Sequence, residues 1–138
     1  FELVVGDCRG QAVWEALTIL IALRTWRSLW ESEPIVVRVK SDSKAALGAL
    51  EKLRSTSPAI NAIARELALD RALFAAEPVL EFLHLRGKHN EWADALSRYF
   101  QPGASPATIP APLTNVLESR VSARNVSWWR AFLSAPTL

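Results

Sequence analysis

The first long apolar stretch of the chain, residues 11–30, has the spacing of a helix. Val13, Leu17, Leu20 and Leu23 recur at intervals of three and four residues, which is the period of one helix face. Most residues between them are also apolar. We therefore predict a helix over 11–30 that is buried on most of its circumference.

Shorter β-type runs alternate with further helical patterns. The run at 35–39 is rich in β-branched residues, which is typical of a strand in the interior of a sheet. We predict strands at 1–5, 35–39 and 79–85, and helices at 44–53, from Pro58 to about Phe74, and at 90–97. Strands joined by helical connections indicate an α/β domain with its sheet covered by helices.

Polar residues mark the starts of these helices. Ser41, Asp42 and Ser43 stand before the second helix, and each has a side chain able to accept the hydrogen bond of an N-cap. Ser57 precedes a proline at the first helical position of the next helix. Asn90 is the predicted N-cap of the last helix of the domain.

The composition changes after Arg98, where prolines and small residues become frequent. We predict a domain at 1–99, a proline-rich linker at 100–112 and a C-terminal tail at 113–138 that holds one or two short helices. The chain begins at Phe1 rather than Met, which suggests a piece of a longer protein.

Charge and cysteine content restrict the partners and the compartment. Lys and Arg number 16 and Asp and Glu 14, a formal net charge of +2, so attraction to a polyanion must come from local clusters. The single cysteine excludes an intramolecular disulfide and favours an intracellular location, cytoplasm or nucleus. The longest apolar run contains Glu15 and is too short to cross a bilayer, so we expect no membrane partner.

Glu15, Asp42 and Asp94 stand in surroundings that are unfavourable for acids. Each lies in an apolar helix or just after an apolar strand, and burying a carboxylate is costly unless something compensates its charge. A divalent cation such as Mg²⁺ is one such compensator and would suit hydrolysis of a phosphodiester. The carboxyl ends of strands in α/β sheets are also where ligands usually bind.

Each acid also has a purely structural interpretation. Asp42 can be an N-cap, Asp94 can interact favourably with the positive end of its helix dipole, and Glu15 can pair with an arginine. If Asp94 instead faces the end of the sheet, we expect its neighbours Trp92 and Leu96 to pack against the domain.

The stretch HLRGKHNEWADALSR, residues 84–98, resembles the closing motif of the ribonuclease H domains carried by reverse transcriptases of retrotransposons and pararetroviruses. In that motif a Gly is followed by Asn, then by Ala-Asp and Leu-Ser-Arg. Glu15 in WEALTILIALRTW and Asp42 in VKSDSKAAL follow the order of the same family. The resemblance covers about residues 1–98.

The resemblance implies a mixed sheet flanked by helices that cleaves the RNA strand of RNA–DNA hybrids. Four carboxylates would hold two Mg²⁺ ions, with Mn²⁺ as a substitute, and Glu15, Asp42 and Asp94 match three of them. One metal would activate the attacking water and the other would stabilise the leaving oxygen. The hybrid and a reverse transcriptase domain of the same polyprotein are the implied partners.

The histidine that assists catalysis in the family has two possible matches. The spacing to Asp94 favours His84, whereas the position of His89 in the loop that Gly87 allows to turn favours His89. A histidine that merely ends a strand is the structural alternative for His84.

One departure from the family is serious. Its first aspartate lies on an opening strand upstream of the glutamate helix, and this chain has room for only one short strand before Glu15. We therefore expect that the opening strands and the first aspartate lie outside these residues. On its own the chain would then bind metal weakly and cleave poorly.

Basic and polar residues near the two aspartates are candidates for nucleic-acid contacts with phosphates or 2′-hydroxyl groups. They are Lys40, Ser43, Lys44, Arg86, Lys88 and Asn90. Ordinary solvated surface charge is the alternative for the lysines. Two other functions remain open for the whole domain: an inert connection or interaction module, and an integrase-type or other DNA-processing nuclease of the same fold.

Overall fold

A computed structural model describes residues 10–32, 34–73, 78–99 and 109–121. The strand predicted at 1–5, most of the proline-rich linker and the tail beyond residue 121 lie outside the described residues. The elements are α1 (Gln11–Thr25), β1 (Val36–Ser41), α2 (Lys44–Glu51), α3 (Pro58–Ala72), β2 (Val79–His84) and α4 (Glu91–Arg98), with short 3-10 turns at Arg27–Leu29, Gly87–His89 and Ala111–Leu113.

β1 and β2 form a parallel pair, with Val36 opposite Val79 and Ser41 opposite His84. The chain passes from one strand to the other through α2 and α3, which is the long connection that a parallel pair requires. The α/β organisation predicted from the sequence is therefore confirmed at this level.

The core lies between α1, α2 and α3 and one face of the strand pair. Leu20, Leu50, Ile63 and Leu67 are fully buried there, and each such side chain contributes about 1.5–3 kcal/mol of burial free energy. The strands add alternate residues to the same core: Val37, Val39, Leu80 and Phe82. The three helices thus fix the position of β1 and of the residues that follow it.

The start and the end of α2 both follow from local contacts. Ser43 is the N-cap, since its Oγ accepts a hydrogen bond of 3.3 Å from the Ala46 backbone N–H, so the carboxylate of Asp42 is not used as the cap. The helix ends at Glu51, before the predicted end, because Leu53 adopts the left-handed backbone conformation with φ 51°.

α1 is shorter than predicted, but its predicted burial is confirmed. It ends at Thr25, and a 3-10 turn carries the chain on towards Trp30. Within the helix only Gln11, Trp14 and Thr18 are exposed, and they lie on one narrow strip. The helix is therefore buried or partly buried on most of its circumference.

The prediction that β1 lies in the interior of a sheet stays a prediction, because the strand predicted at 1–5 lies outside the described residues. Among the described residues β1 pairs along one edge only, with β2. Ile35 and Val36, at the start of the strand, are exposed. The other edge of β1 borders a groove that is described below.

α4 begins and ends close to the predicted positions, but the packing predicted for it is wrong. Trp92 is 53% and Leu96 48% exposed. Asn90 occupies the N-cap position without a capping hydrogen bond from its side chain. The apolar side of this eight-residue helix is therefore partly exposed to solvent, as its polar side is.

The described part of the linker and tail, residues 109–121, contains one 3-10 turn and no α-helix. It touches the domain where Trp26 Nε1 donates a hydrogen bond of 3.3 Å to Ser119 Oγ. Across the described ranges, none of the helices is long and apolar enough to cross a membrane.

Candidate active site

The candidate site begins where β1 ends. Ser41 is the last residue of the strand, Asp42 follows it, and Ser43 caps α2. Because the two strands are parallel and in register, His84 at the end of β2 lies beside Ser41. The sheet's carboxyl edge therefore gathers residues from both strands and the start of a helix.

Glu15 reaches this edge from α1. Its side chain is partly buried, and Oε2 accepts a hydrogen bond of 3.2 Å from Ser41 Oγ. The partner that the described structure provides for Glu15 is thus a serine of β1 and not an arginine. This contact brings the helix glutamate next to the strand end, as the sequence predicts.

Sequence reasoning treated Ser41 only as a possible cap and missed its role as the link between these elements. Its side chain is 4% exposed, and its Oγ also accepts a hydrogen bond of 3.1 Å from the Ser43 backbone N–H. A signal was present in the alternation of β1, because Ser41 continues the inward-facing series of Val37 and Val39.

Asp42 is exposed and lies against the loop that follows β2. A Cβ atom placed on Gly87 would be 3.6 Å from Asp42 Oδ2. The residues Gln11 and Ala12 of α1, with Asp42 and Ser43, line a shallow depression of about 270 Å³. The carboxylate is therefore open to solvent and to a ligand on this side of the domain.

The basic loop predicted to meet nucleic acid lies beside Asp42. Arg86, Lys88 and His89 are exposed on either side of Gly87. His89 is thus on the Asp42 side of the site, whereas His84 lies opposite Ser41 on the neighbouring strand. Both histidines are at the carboxyl edge of the sheet, so the structure leaves the choice between them open.

The other predicted contact residues surround the same edge. Lys40 and Lys44 are exposed on β1 and at the first position of α2. Ser43 uses its hydroxyl to cap α2, while Asn90 is partly buried at the start of α4. The lysines therefore remain available to phosphates, and the Ser43 hydroxyl is already engaged.

Asp94 is less well placed than the other two acids. Its Oδ1 accepts a hydrogen bond of 3.0 Å from Arg98 Nε, one turn further along α4, and the pair is half exposed. Within 10–32, 34–73, 78–99 and 109–121 no three acidic, histidine or cysteine side chains are arranged to hold a metal ion. The structure thus brings Glu15 to the strand end beside Asp42 and leaves Asp94 in a local ion pair.

A groove of about 340 Å³ runs along β1 on the side opposite β2. Residues 37–41 of β1 line it consecutively, and α1 forms its other wall from Glu15 to Trp26. Asn90, the N-cap of α4, and Ala93 in its first turn also line the groove. Consecutive strand residues point to opposite faces of the sheet. Since consecutive residues of β1 line the groove, the groove lies along the edge of the strand.

Glu15 and Asp42 carry carboxylate oxygens, the type of donor that a hard cation prefers, and Mg²⁺ is commonly held by one or two carboxylates while it keeps several waters. Asp94 would join them only by exchanging Arg98 for the metal. Comparison with protein-family models, curated proteins and solved structures found no match.

Proposed function

We propose that this chain is part of a ribonuclease H-type endonuclease, which cleaves the RNA strand of RNA–DNA hybrids during reverse transcription of a retroelement. The observation that carries the proposal is the hydrogen bond from Ser41 to Glu15. Ser41 directly precedes Asp42 and lies at the carboxyl edge of a parallel strand pair. It joins two of the acids that the motif resemblance assigns to the metal site.

The arrangement of the described elements supports the proposal because it is an α/β arrangement, as the motif resemblance implies. A helix, a strand, two helices, a strand and a helix follow one another along the chain. Among the described residues β1 is paired on one side only, and the groove along its other side leaves space for another strand. A strand carrying the first aspartate would bring a carboxylate beside Glu15 and Ser41.

The charge around Asp42 supports a nucleic-acid substrate. Arg86, Lys88, Lys40 and Lys44 are exposed at one edge of the sheet, although the whole chain is nearly neutral. Phosphate contacts from such residues position a nucleic acid, and 2′-hydroxyl contacts distinguish RNA from DNA. A reverse transcriptase domain in the same polyprotein would present the hybrid.

Different residues of the chain would bind the metal and transfer the proton. Glu15 and Asp42 would hold the cation, and Asp94 would add its carboxylate if it were released from Arg98. Bound Mg²⁺ supplies an activated water and stabilises the charge on the leaving oxygen. His84 or His89 accepts or donates a proton at the edge of the site.

The test is cleavage of an RNA–DNA hybrid labelled at the 5′ end of its RNA strand, with Mg²⁺ or with EDTA. Two proteins are compared: the chain itself, and the chain extended upstream of Phe1 by whatever residues its gene encodes there. We expect Mg²⁺-dependent cleavage by the extended protein and much weaker cleavage by the shorter one.

Asp42→Asn should abolish the cleavage because an amide is a poor ligand for Mg²⁺. Glu51→Gln is the matched control, since Glu51 is exposed at the far end of α2. Absence of cleavage by the extended protein, or cleavage that survives Asp42→Asn, would contradict the proposal.

A second candidate is an inert module of the same fold that connects other domains or binds partners. The ion pair between Asp94 and Arg98 favours it, because an acid that is satisfied locally does not need a metal. The same assay separates the two functions. Hybrid that is bound by the extended protein but left intact at every Mg²⁺ concentration would support the inert module.

A further inference from the structure

Ser41 connects the elements that meet at the candidate site. Its hydroxyl donates to Glu15 Oε2 on α1 and accepts from the backbone N–H of Ser43 at the start of α2. Its backbone carbonyl accepts a hydrogen bond of 2.9 Å from the Leu85 N–H, just after β2. One buried residue is therefore bonded to a helix, to the start of the next helix and to the neighbouring strand.

We propose that Ser41 is the positioning residue of this site: it holds the Glu15 carboxylate at a fixed place relative to Asp42. A hydroxyl has a single hydrogen to donate. The N–H of Ser43 approaches the oxygen, so the hydrogen is free to point towards Glu15. The consequence for metal binding rests on the proposed function, whereas the positioning itself does not.

The need for such a residue follows from the side chain of glutamate. Glutamate loses considerable rotamer freedom when it is fixed, and Glu15 reaches the strand end from a helix that lies across the core. Groups that hold a metal ligand in place are commonly worth 10–100-fold in metal affinity. Removing the hydroxyl should thus weaken Mg²⁺ binding without unfolding the domain.

Two substitutions of Ser41 distinguish the effect of losing the hydroxyl from the effect of changing the size of the side chain. Ser41→Ala removes the donor and introduces no clash. Ser41→Thr keeps the donor and adds one methyl group, for which the groove of about 340 Å³ that Ser41 lines offers space. Thr should therefore restore what Ala loses.

The chain also offers a matched control. Ser55 Oγ accepts a hydrogen bond of 3.1 Å from the Ser57 backbone N–H, which repeats the bond between Ser41 and Ser43 at the start of α3. Ser55→Ala removes a serine of the same local type at a helix start away from Glu15. It should leave the site unchanged.

The experiment is an NMR titration of the whole chain with MgCl₂, in which the backbone amides and the side-chain carboxyl carbons are followed. Before any metal is added, Ser41→Ala should shift the Glu15 carboxyl resonance and the Ser43 amide, and Ser41→Thr should return both close to their wild-type positions. Mg²⁺ affinity at Glu15 and Asp42 should fall about tenfold in Ser41→Ala and be unchanged in Ser55→Ala.

Positioning of Glu15 and binding of Mg²⁺ have separate readouts. If Glu15 keeps its resonance in metal-free Ser41→Ala, or if Thr does not restore it, Ser41 does not position Glu15 and the inference is overturned. If the Ser41 variants show the expected metal-free changes but Mg²⁺ perturbs neither Glu15 nor Asp42 in the wild-type chain, Ser41 positions Glu15 and the proposed metal site is wrong.

Discussion

Arg24 on α1 and Asp70 on α3 form a two-point ion pair, with Nε 2.6 Å from Oδ2 and Nη2 2.9 Å from Oδ1. Glu66, one turn earlier on α3, accepts from the same Nη2 at 2.7 Å. The hydrogen bond to Asp70 is the main cause of a raised pKa for the Arg24 guanidinium, and the bond to Glu66 adds to it against the opposing effect of burial. These bonds fasten α1, which carries Glu15, to the core.

Arg24→Ala should lower the free energy of unfolding by about 2 kcal/mol, because it leaves Asp70 partly buried without its charged partner. Arg38→Ala is the control: Arg38 pairs with Glu81 across the strands at 2.9 Å, but its side chain is 65% exposed, so it should cost less than about 1 kcal/mol. Urea denaturation measures both. Equal losses would contradict the structural importance of the Arg24 pair.

The pH dependence of this contribution has a definite sign. A pKa that folding raises stabilises the folded state below the pKa of the unfolded chain, and that stability is lost as the pH rises through the folded value. Since the ordinary pKa of arginine is already far above neutral, Arg24 stays charged. The difference between wild type and Arg24→Ala should therefore stay constant as the pH is raised from neutral to mildly alkaline values.

The same substitution, glycine to alanine, should have different effects at Gly48 and at Gly87. Gly48 lies within α2 with nothing within 4 Å of an added Cβ, so Gly48→Ala should raise the unfolding free energy by about 0.5–1 kcal/mol through helix propensity. Gly87→Ala should change stability by less than about 0.5 kcal/mol. Thermal or urea denaturation of the two variants gives the comparison.

Gly87→Ala should instead affect the site, because its methyl group would lie 3.6 Å from Asp42 Oδ2 and displace water there. Mg²⁺ retains its waters strongly, so we expect affinity at Asp42 to fall about threefold, as measured in the NMR titration. Unchanged Mg²⁺ binding in Gly87→Ala, or a large loss in Gly48→Ala, would show that the ion does not bind beside Asp42.

The basic loop predicts a salt-dependent loss of substrate binding. Replacing both Arg86 and Lys88 by Ala should weaken hybrid binding and reduce the slope of log K against log salt by about 1 to 2, if each residue contacts one phosphate. Arg65→Ala is the control, because Arg65 is exposed on α3 and not in the loop. Fluorescence anisotropy at several salt concentrations measures the slope, and an equal effect of Arg65→Ala would contradict a specific interface.

Most element positions were predictable because each rests on local chemistry. Ser57 and Pro58 begin α3 as predicted, since an N-cap serine and a proline at the first helical position act within one turn. The end of α2 was not predictable in the same way. Leu53 occupies a conformation that usually selects glycine, and its partly buried contact with the core offsets the cost.

The candidate site was predictable in its residues but not in its contacts. The order of Glu15 and Asp42 along the chain indicates a shared site, yet only the fold shows that Ser41 is the residue that joins Glu15 to the strand end. The packing of Trp92 was predicted wrongly because helical spacing marks an apolar side without specifying what covers it.

The most direct test of the proposed nuclease is its choice of substrate and strand. The extended protein should be given equal amounts of an RNA–DNA hybrid and a DNA duplex of the same sequence, each strand labelled separately, with initial rates measured in Mg²⁺. We predict that only the RNA strand of the hybrid is cut, and that Asp42→Asn stops the reaction. Faster cutting of the DNA duplex, or no cutting of either substrate, would contradict the account.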